Sequence, residues 1–281
     1  MMDQLLQALI DRGEQETERY RKQLTPLFTP VGINPFELAC ALVRVWGLQD
    51  EGWDPLEESM EVLDDLIKLT QLDLQPGRFK DPSKTRLRLF LISYAHLTEM
   101  DAPYDVLANL LRIRAGLRYV VDPFRDDIVA GLTKGTTAKK PSKRPKPRSL
   151  LRRVHLPSPW DKIVVIKQLA IIVGHPLIGE LFDEFYLPDL RHSISHAAYI
   201  LHGNELRMGS GSIPIERIMT IIEKALSFYS AFFVLEAEAK AKVETLIEGR
   251  GQIMATAPVA ETPAAISPWI PLPFHSFVFL I

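Results

Sequence analysis

Only one cysteine, Cys40, occurs among the 281 residues. A single thiol excludes a disulfide framework and a cysteine-based zinc site within one chain. Its apolar setting, Phe36-Glu37-Leu38-Ala39-Cys40-Ala41-Leu42, makes it a small core residue. Long apolar runs are also scarce. The best candidate, around Ile163 to Val173, is broken by Lys167 and Gln168, so no bilayer span and no membrane partner are expected. Met1-Met2-Asp3-Gln4 lacks the basic flank and unbroken apolar core of a signal peptide. A reducing cytoplasm is the expected location.

Charge of one sign is missing as well. The formal net charge is -2, so bulk electrostatics does not draw the molecule to polyanions, and local asymmetry must carry any such binding. Three strong chemical signatures are absent: a phosphate-cradling glycine loop ending in Lys-Ser/Thr, a Gly-x-Ser-x-Gly elbow and a His-Glu-x-x-His pair. No cofactor is expected on this basis. The fragment Gly209-Ser210-Gly211-Ser212 reads only as a short turn.

What is present is helical patterning in a chain with the hydrophobic (47%) and charged (24%) fractions of a globular protein. Leu5, Leu6, Leu9 and Ile10 mark a helix over 2–24, which Thr25-Pro26 and Thr29-Pro30 are expected to break. Asn34-Pro35 reads as a cap and first turn of a helix running to about Trp46. Eight acids and no base crowd residues 50–65, threaded by Met60, Leu63, Leu66, Ile67 and Leu69. That is an amphipathic helix with an acidic face, either solvated or holding a metal or a partner. Pro76-Gly77 turns the chain. Helices over roughly 84–98 and 103–119 follow, the second burying Leu107, Leu110, Leu111, Ile113 and Leu117.

Residues 134–153 differ sharply. Nine positive charges and no acid stand among Pro141, Pro145 and Pro147, which points to a basic linker or insertion loop. It could bind polyanions weakly, solubilise, or touch the acidic helix. Beyond it, Ile163 to Val173 predicts a buried helix, and 177–186 a short one with Leu177, Ile178, Leu181, Phe182 and Phe185 inward. A β-hairpin is expected around His202-Gly203-Asn204, where Gly and Asn accept the positive φ of the turn. A long helix over 213–247 closes the fold until Gly249 to Gly251 stop it. The fold class is therefore all-α, a helical bundle with a small β-hairpin. Four segments are expected: an N-terminal helical region (1–133), the basic stretch (134–153), a second helical domain (154–250) and an Ala/Pro-rich tail (251–281).

The densest chemistry lies in Arg191-His192-Ser193-Ile194-Ser195-His196. Here a permanent cation stands beside two groups that exchange protons near neutral pH, a combination suited to phosphodiesters. On spacing alone, a polar helix start with solvated histidines explains it as well. His192 and His196 share a helix face and could hold a metal together, with Asp189 the one nearby carboxylate. Arg191 and His196, five apart, stand roughly 140° apart on an ideal helix, so one helix aims them poorly at a single phosphate. A two-fold dimer joining two copies of the helix removes that difficulty.

The run Leu190-Arg191-His192-Ser193-Ile194-Ser195-His196-Ala197 resembles the HEPN superfamily signature of Arg, a polar residue, three further positions and His. An upstream apolar helix, a short element after the His and a long closing helix agree, and the resemblance covers about 160–247. It implies a compact helical bundle, commonly dimeric through the motif helix. Many members are metal-independent endoribonucleases of toxin–antitoxin, phage-defence or stress systems, and others are non-catalytic binding modules. Carried over, Arg191 stabilises charge on the transition state. His196 is general base or acid, and His192 orients substrate or joins the proton transfers. Ser195 and Tyr199, with Lys143, Arg144, Lys146 and Arg148 of the basic stretch, are the candidate RNA-binding residues. A neutralising antitoxin or regulatory partner is expected beside an active ribonuclease. Members modified by a partner nucleotidyltransferase carry a Tyr two residues after the His, whereas Tyr199 stands three after, which puts that regulation in doubt.

Overall fold

A computed structural model describes residues 2–43, 55–72, 74, 77–124 and 157–254. The basic stretch and most of the Ala/Pro-rich tail lie outside the described residues. Among the described ones the chain is predominantly helical, with one small antiparallel sheet.

Helix α1 (Met2–Phe28) continues through Pro26, where a break was expected. Thr25 donates its hydroxyl to the Arg21 carbonyl (2.7 Å) and Thr29 to that of Thr25 (2.9 Å). Such back-bonding supplies polar partners around a proline that removes one donor from the helix ladder. The cap read at Asn34 is present: its Oδ1 accepts from the Phe36 N–H (3.0 Å) at the start of α2 (Pro35–Val43). In α3 (Pro55–Gln71), Leu63 and Ile67 are buried, whereas Leu69 is exposed, against expectation. The buried stripe is narrower because α3 packs chiefly against one neighbour, α4 (Pro82–Glu99). Glu58, Glu61 and Asp65 face solvent.

Asp81 caps α4 by accepting from the Lys84 N–H (3.0 Å), with Pro82 in the first turn. Met100 alone separates α4 from α5 (Asp101–Arg114), which ends five residues short of the expected boundary. Gly116 takes up a positive φ (78°) there and releases the chain, leaving Leu117 only half-buried. In α6 (Pro159–Ile172) Ser158 and Asp161 form a reciprocal capping box. The next segment is α7 (Pro176–Glu180) followed by a 3-10 turn (Leu181–Glu184). Leu177, expected inward, is exposed, while Ile178, Leu181, Phe182 and Phe185 are buried. Helix α8 (Pro188–Ser195) carries the six-residue cluster.

The expected hairpin pairs β1 (Tyr199–His202) with β2 (Glu205–Met208), with His202 opposite Glu205. Only Gly203 of its turn has positive φ; Asn204 does not. The turn expected at Gly209 to Ser212 is confined to Gly209 and Ser210, and a third strand, β3 (Gly211–Pro214), follows it and pairs Leu206 with Ile213. The fully buried Leu206 anchors this sheet on the core.

The closing helix α9 (Ile215–Met254) runs through Gly249 and Gly251 instead of stopping before them. Its segment Ile215–Val243 is long and apolar enough to cross a membrane, contrary to expectation, but most of it is buried inside the fold. Tyr20 meets Phe228 edge-on, and Phe28 meets Phe232 (both 5.6 Å between centroids). One contiguous core thus joins residues from Tyr20 to Val243, drawing on α1 and α2 as well as on the segments after residue 154.

Candidate functional site

Helix α8 presents two different faces. Leu190, Ser193 and Ile194 are buried, so the helix is clamped to the body along one side. His192, Ser195 and His196 are exposed, and Arg191 lies between, half-buried. The entry to α8 is fixed by Tyr94 of α4. Its hydroxyl donates to the Phe185 carbonyl (3.0 Å) and accepts from the Leu187 N–H (3.1 Å). Burial pushes the Tyr94 phenol well above its ordinary value, so it remains a neutral donor and acceptor.

The exit is equally defined. The N–H of Ala198 donates to the Ser193 carbonyl (2.8 Å) and that of Ala197 to Ile194 (3.0 Å). These two bonds make a Schellman closure. Ala197 occupies its left-handed position with φ 51°, the one non-glycine residue with positive φ among the described residues. His196 is consequently the last residue still following the helix, and its N–H donates to the His192 carbonyl (3.1 Å). The His192 and His196 rings meet, with centroids 4.4 Å apart and planes at 53°. Spacing alone put these two imidazoles on one face, and they do share it.

Arg191 has a partner of its own. Its Nε pairs with the carboxylate of Glu99, the last residue of α4, and their side chains are 20% and 40% exposed. Burial works against the guanidinium charge, yet the adjoining Glu99 carboxylate outweighs it and holds the Arg191 pKa above the usual arginine value. Tyr186 is buried within electrostatic reach of both Arg191 and Glu99. Burial raises its phenol pKa, and the nearby guanidinium opposes that rise.

Among the remaining expected residues, Ser195 stays exposed beside the histidines. Tyr199 opens β1 and packs, half-buried, against the core. Lys143, Arg144, Lys146 and Arg148 lie outside the described residues. No group of three or more His, Cys, Asp or Glu side chains that could hold a metal stands together among the described residues. The pair His192 and His196 thus lacks a third ligand there. Three residues the sequence did not single out belong to the surroundings: Glu99, Tyr94 and Tyr186. A tertiary contact between α4 and α8 brings in Glu99 and Tyr94, and periodicity carries no trace of such a contact, whereas Tyr186 stands two residues before α8 in sequence.

Chemically, the arrangement offers two adjacent proton-transfer groups open to solvent and, on the same short helix, a cation held by an exchangeable carboxylate. No family model, curated protein or solved structure matches this chain, so α8 and its immediate neighbours carry the functional reading alone.

Proposed function

We propose that the protein is a metal-independent endoribonuclease of the HEPN type, acting on RNA as a homodimer joined through α8. The observation that carries this reading is the exposed His192–His196 ring pair on the helix that also bears Arg191. In the reaction, one imidazole takes the proton of a ribose 2′-OH as its oxygen attacks the adjacent phosphorus. The bond to the 5′-oxygen breaks, and that oxygen receives a proton from an imidazolium. A 2′,3′-cyclic phosphate and a free 5′-hydroxyl result. Arg191 neutralises charge building on the non-bridging oxygens. The 2′-OH requirement restricts cleavage to RNA. A dimer supplies a second Arg191 and a second histidine pair at one cleft, which answers the divergence of Arg191 from His196 on a single helix. The biological settings that fit are defence, toxin–antitoxin pairing or stress response in the cytoplasm, with a neutralising or regulatory partner.

A second reading is favoured by one observation: the Glu99 carboxylate already occupies Arg191. Under that reading the protein is a non-catalytic HEPN-like module that binds RNA or a partner.

The test incubates purified protein with single-stranded RNA in the presence of a chelator. Cleavage is expected to persist, and His196→Ala is expected to lower it by about 10²–10⁴-fold. Cleavage that vanishes with chelator, or survives His196→Ala, overturns the ribonuclease reading. RNA binding without any cleavage establishes the second one.

A further inference from the structure

We propose that Trp160 is a stacking platform for a nucleobase of the RNA strand that reaches Arg191. The inference rests on the RNA-directed reading of α8 but names a contact that reading does not contain. Trp160 opens α6, and its indole stacks on the buried Tyr186 ring, with centroids 6.2 Å apart and planes at 17°. It nevertheless remains 42% exposed. Tyr186 immediately precedes the Leu187-Pro188 entry of α8 and lies within electrostatic reach of Arg191. Part of the indole therefore remains open to solvent beside the ring that leads into α8.

The platform is also fixed in advance. The Ser158–Asp161 capping box sets the first turn of α6, and Tyr186 backs the indole, so little side-chain freedom remains to be lost on binding. The surroundings favour a base over a phosphate. Lys167, whose Nζ lies 5.8 Å from the indole centroid, is paired with Asp183. Lys162 is paired with Asp101 (2.6 Å), and Arg191 with Glu99. The Asp161 carboxylate accepts from the Ser158 N–H (3.0 Å) and hydroxyl (2.7 Å). Each of these three cations is already matched by an acid, so none of them offers phosphates an unpaired charge. An aromatic face binds any base, because every base has a π-face, and does so without a net charge.

The experiment uses the full chain carrying His196→Ala, so that RNA is bound without being cut, titrated with a single-stranded oligoribonucleotide. Trp160→Leu keeps apolar packing on Tyr186 but removes the aromatic face, and it is expected to weaken binding about tenfold, within the range for loss of one stacked base. Trp160→Phe, which retains a ring, is expected to restore most of the affinity. The Trp160→Leu loss is expected to be similar at low and high salt, as befits an uncharged contact. Equal affinity for folded Trp160→Leu and its parent overturns the proposal, as does failure of any form to bind RNA. Should the wild-type chain bind RNA without cutting it while Trp160→Leu weakens binding, the platform stands and the ribonuclease reading falls. Should the wild-type chain cut RNA while Trp160→Leu binds it unchanged, the platform falls and the ribonuclease reading stands.

Discussion

Arg191 and Glu99 are 92 positions apart in sequence and form an ion pair where the end of α4 meets α8. The pair ties the guanidinium to the end of α4 and makes Glu99 a direct competitor for any phosphate that Arg191 would bind. The contact is partly solvated, so its net worth is modest and it can be exchanged.

Removing that competition should be measurable. Glu99→Gln keeps an acceptor oxygen for orientation while deleting the charge. In the His196→Ala background it is expected to tighten RNA binding about two- to fivefold at low salt, the scale of a partly exposed ion pair. The gain should shrink as salt rises, because the competing interaction is itself screened. A filter-binding or anisotropy titration reads this directly, and weaker binding would show that Glu99 positions Arg191 instead of competing for it.

The left-handed alanine at the end of α8 gives a stability prediction. An L-residue with a β-carbon in that conformation costs about 1–2 kcal/mol, and glycine avoids the clash but loses more chain entropy on folding. Ala197→Gly is therefore expected to stabilise the protein by about 0.5–1 kcal/mol, read as a shift of the urea midpoint at constant slope. Ala197→Val, a β-branched residue at φ 51°, is expected to destabilise it.

Gly179 marks a close crossing of α6 and α7. A β-carbon built there falls 2.7 Å from the Lys167 Cα, a backbone atom with no rotamer to yield. Gly179→Ala is accordingly expected to cost about 1–3 kcal/mol, the range for overpacking, despite alanine's better helix propensity. Chemical denaturation checks it.

Acid stability is tied to Glu184. Burial raises the pKa of its carboxyl, but hydrogen bonds from Arg19 (2.7 Å) and Lys224 (2.9 Å) prevail and hold it below the ordinary glutamate value of 4.5. A depressed native value means that the unfolded chain binds the proton more readily. The contribution is thus fully present above pH 4.5 and is lost as pH falls through the lower native value. Glu184→Gln is expected to lower stability at pH 7 and to flatten its decline below pH 4.5. An unchanged slope of denaturation midpoint against pH would refute this assignment.

Much of the architecture was legible in the residues themselves. Periodicity located α4 and α6, Gly203 and Asn204 marked the hairpin, and the Asn34 cap located the start of α2, since it satisfies a helix-end N–H whatever else the chain does. Two helix boundaries differ from local preference. Helix α1 passes Pro26, and α9 passes its glycines. Gly211 to Pro214 pair with β2 as a third strand, because β2 has a free edge to offer.

For the cluster in α8, the sequence alone determined that Arg191, His192 and His196 fall within one short helical stretch and that the two imidazoles share a face. A spacing of four dictates as much on any α-helix. Only the tertiary structure decided that Arg191 turns to Glu99, that Tyr94 and Tyr186 line its surroundings, and that the chain leaves His196 through a left-handed Ala197. The reason is physical. Helical spacing is a property of consecutive backbone dihedrals, whereas the partner of a charge is set by which distant element packs against it.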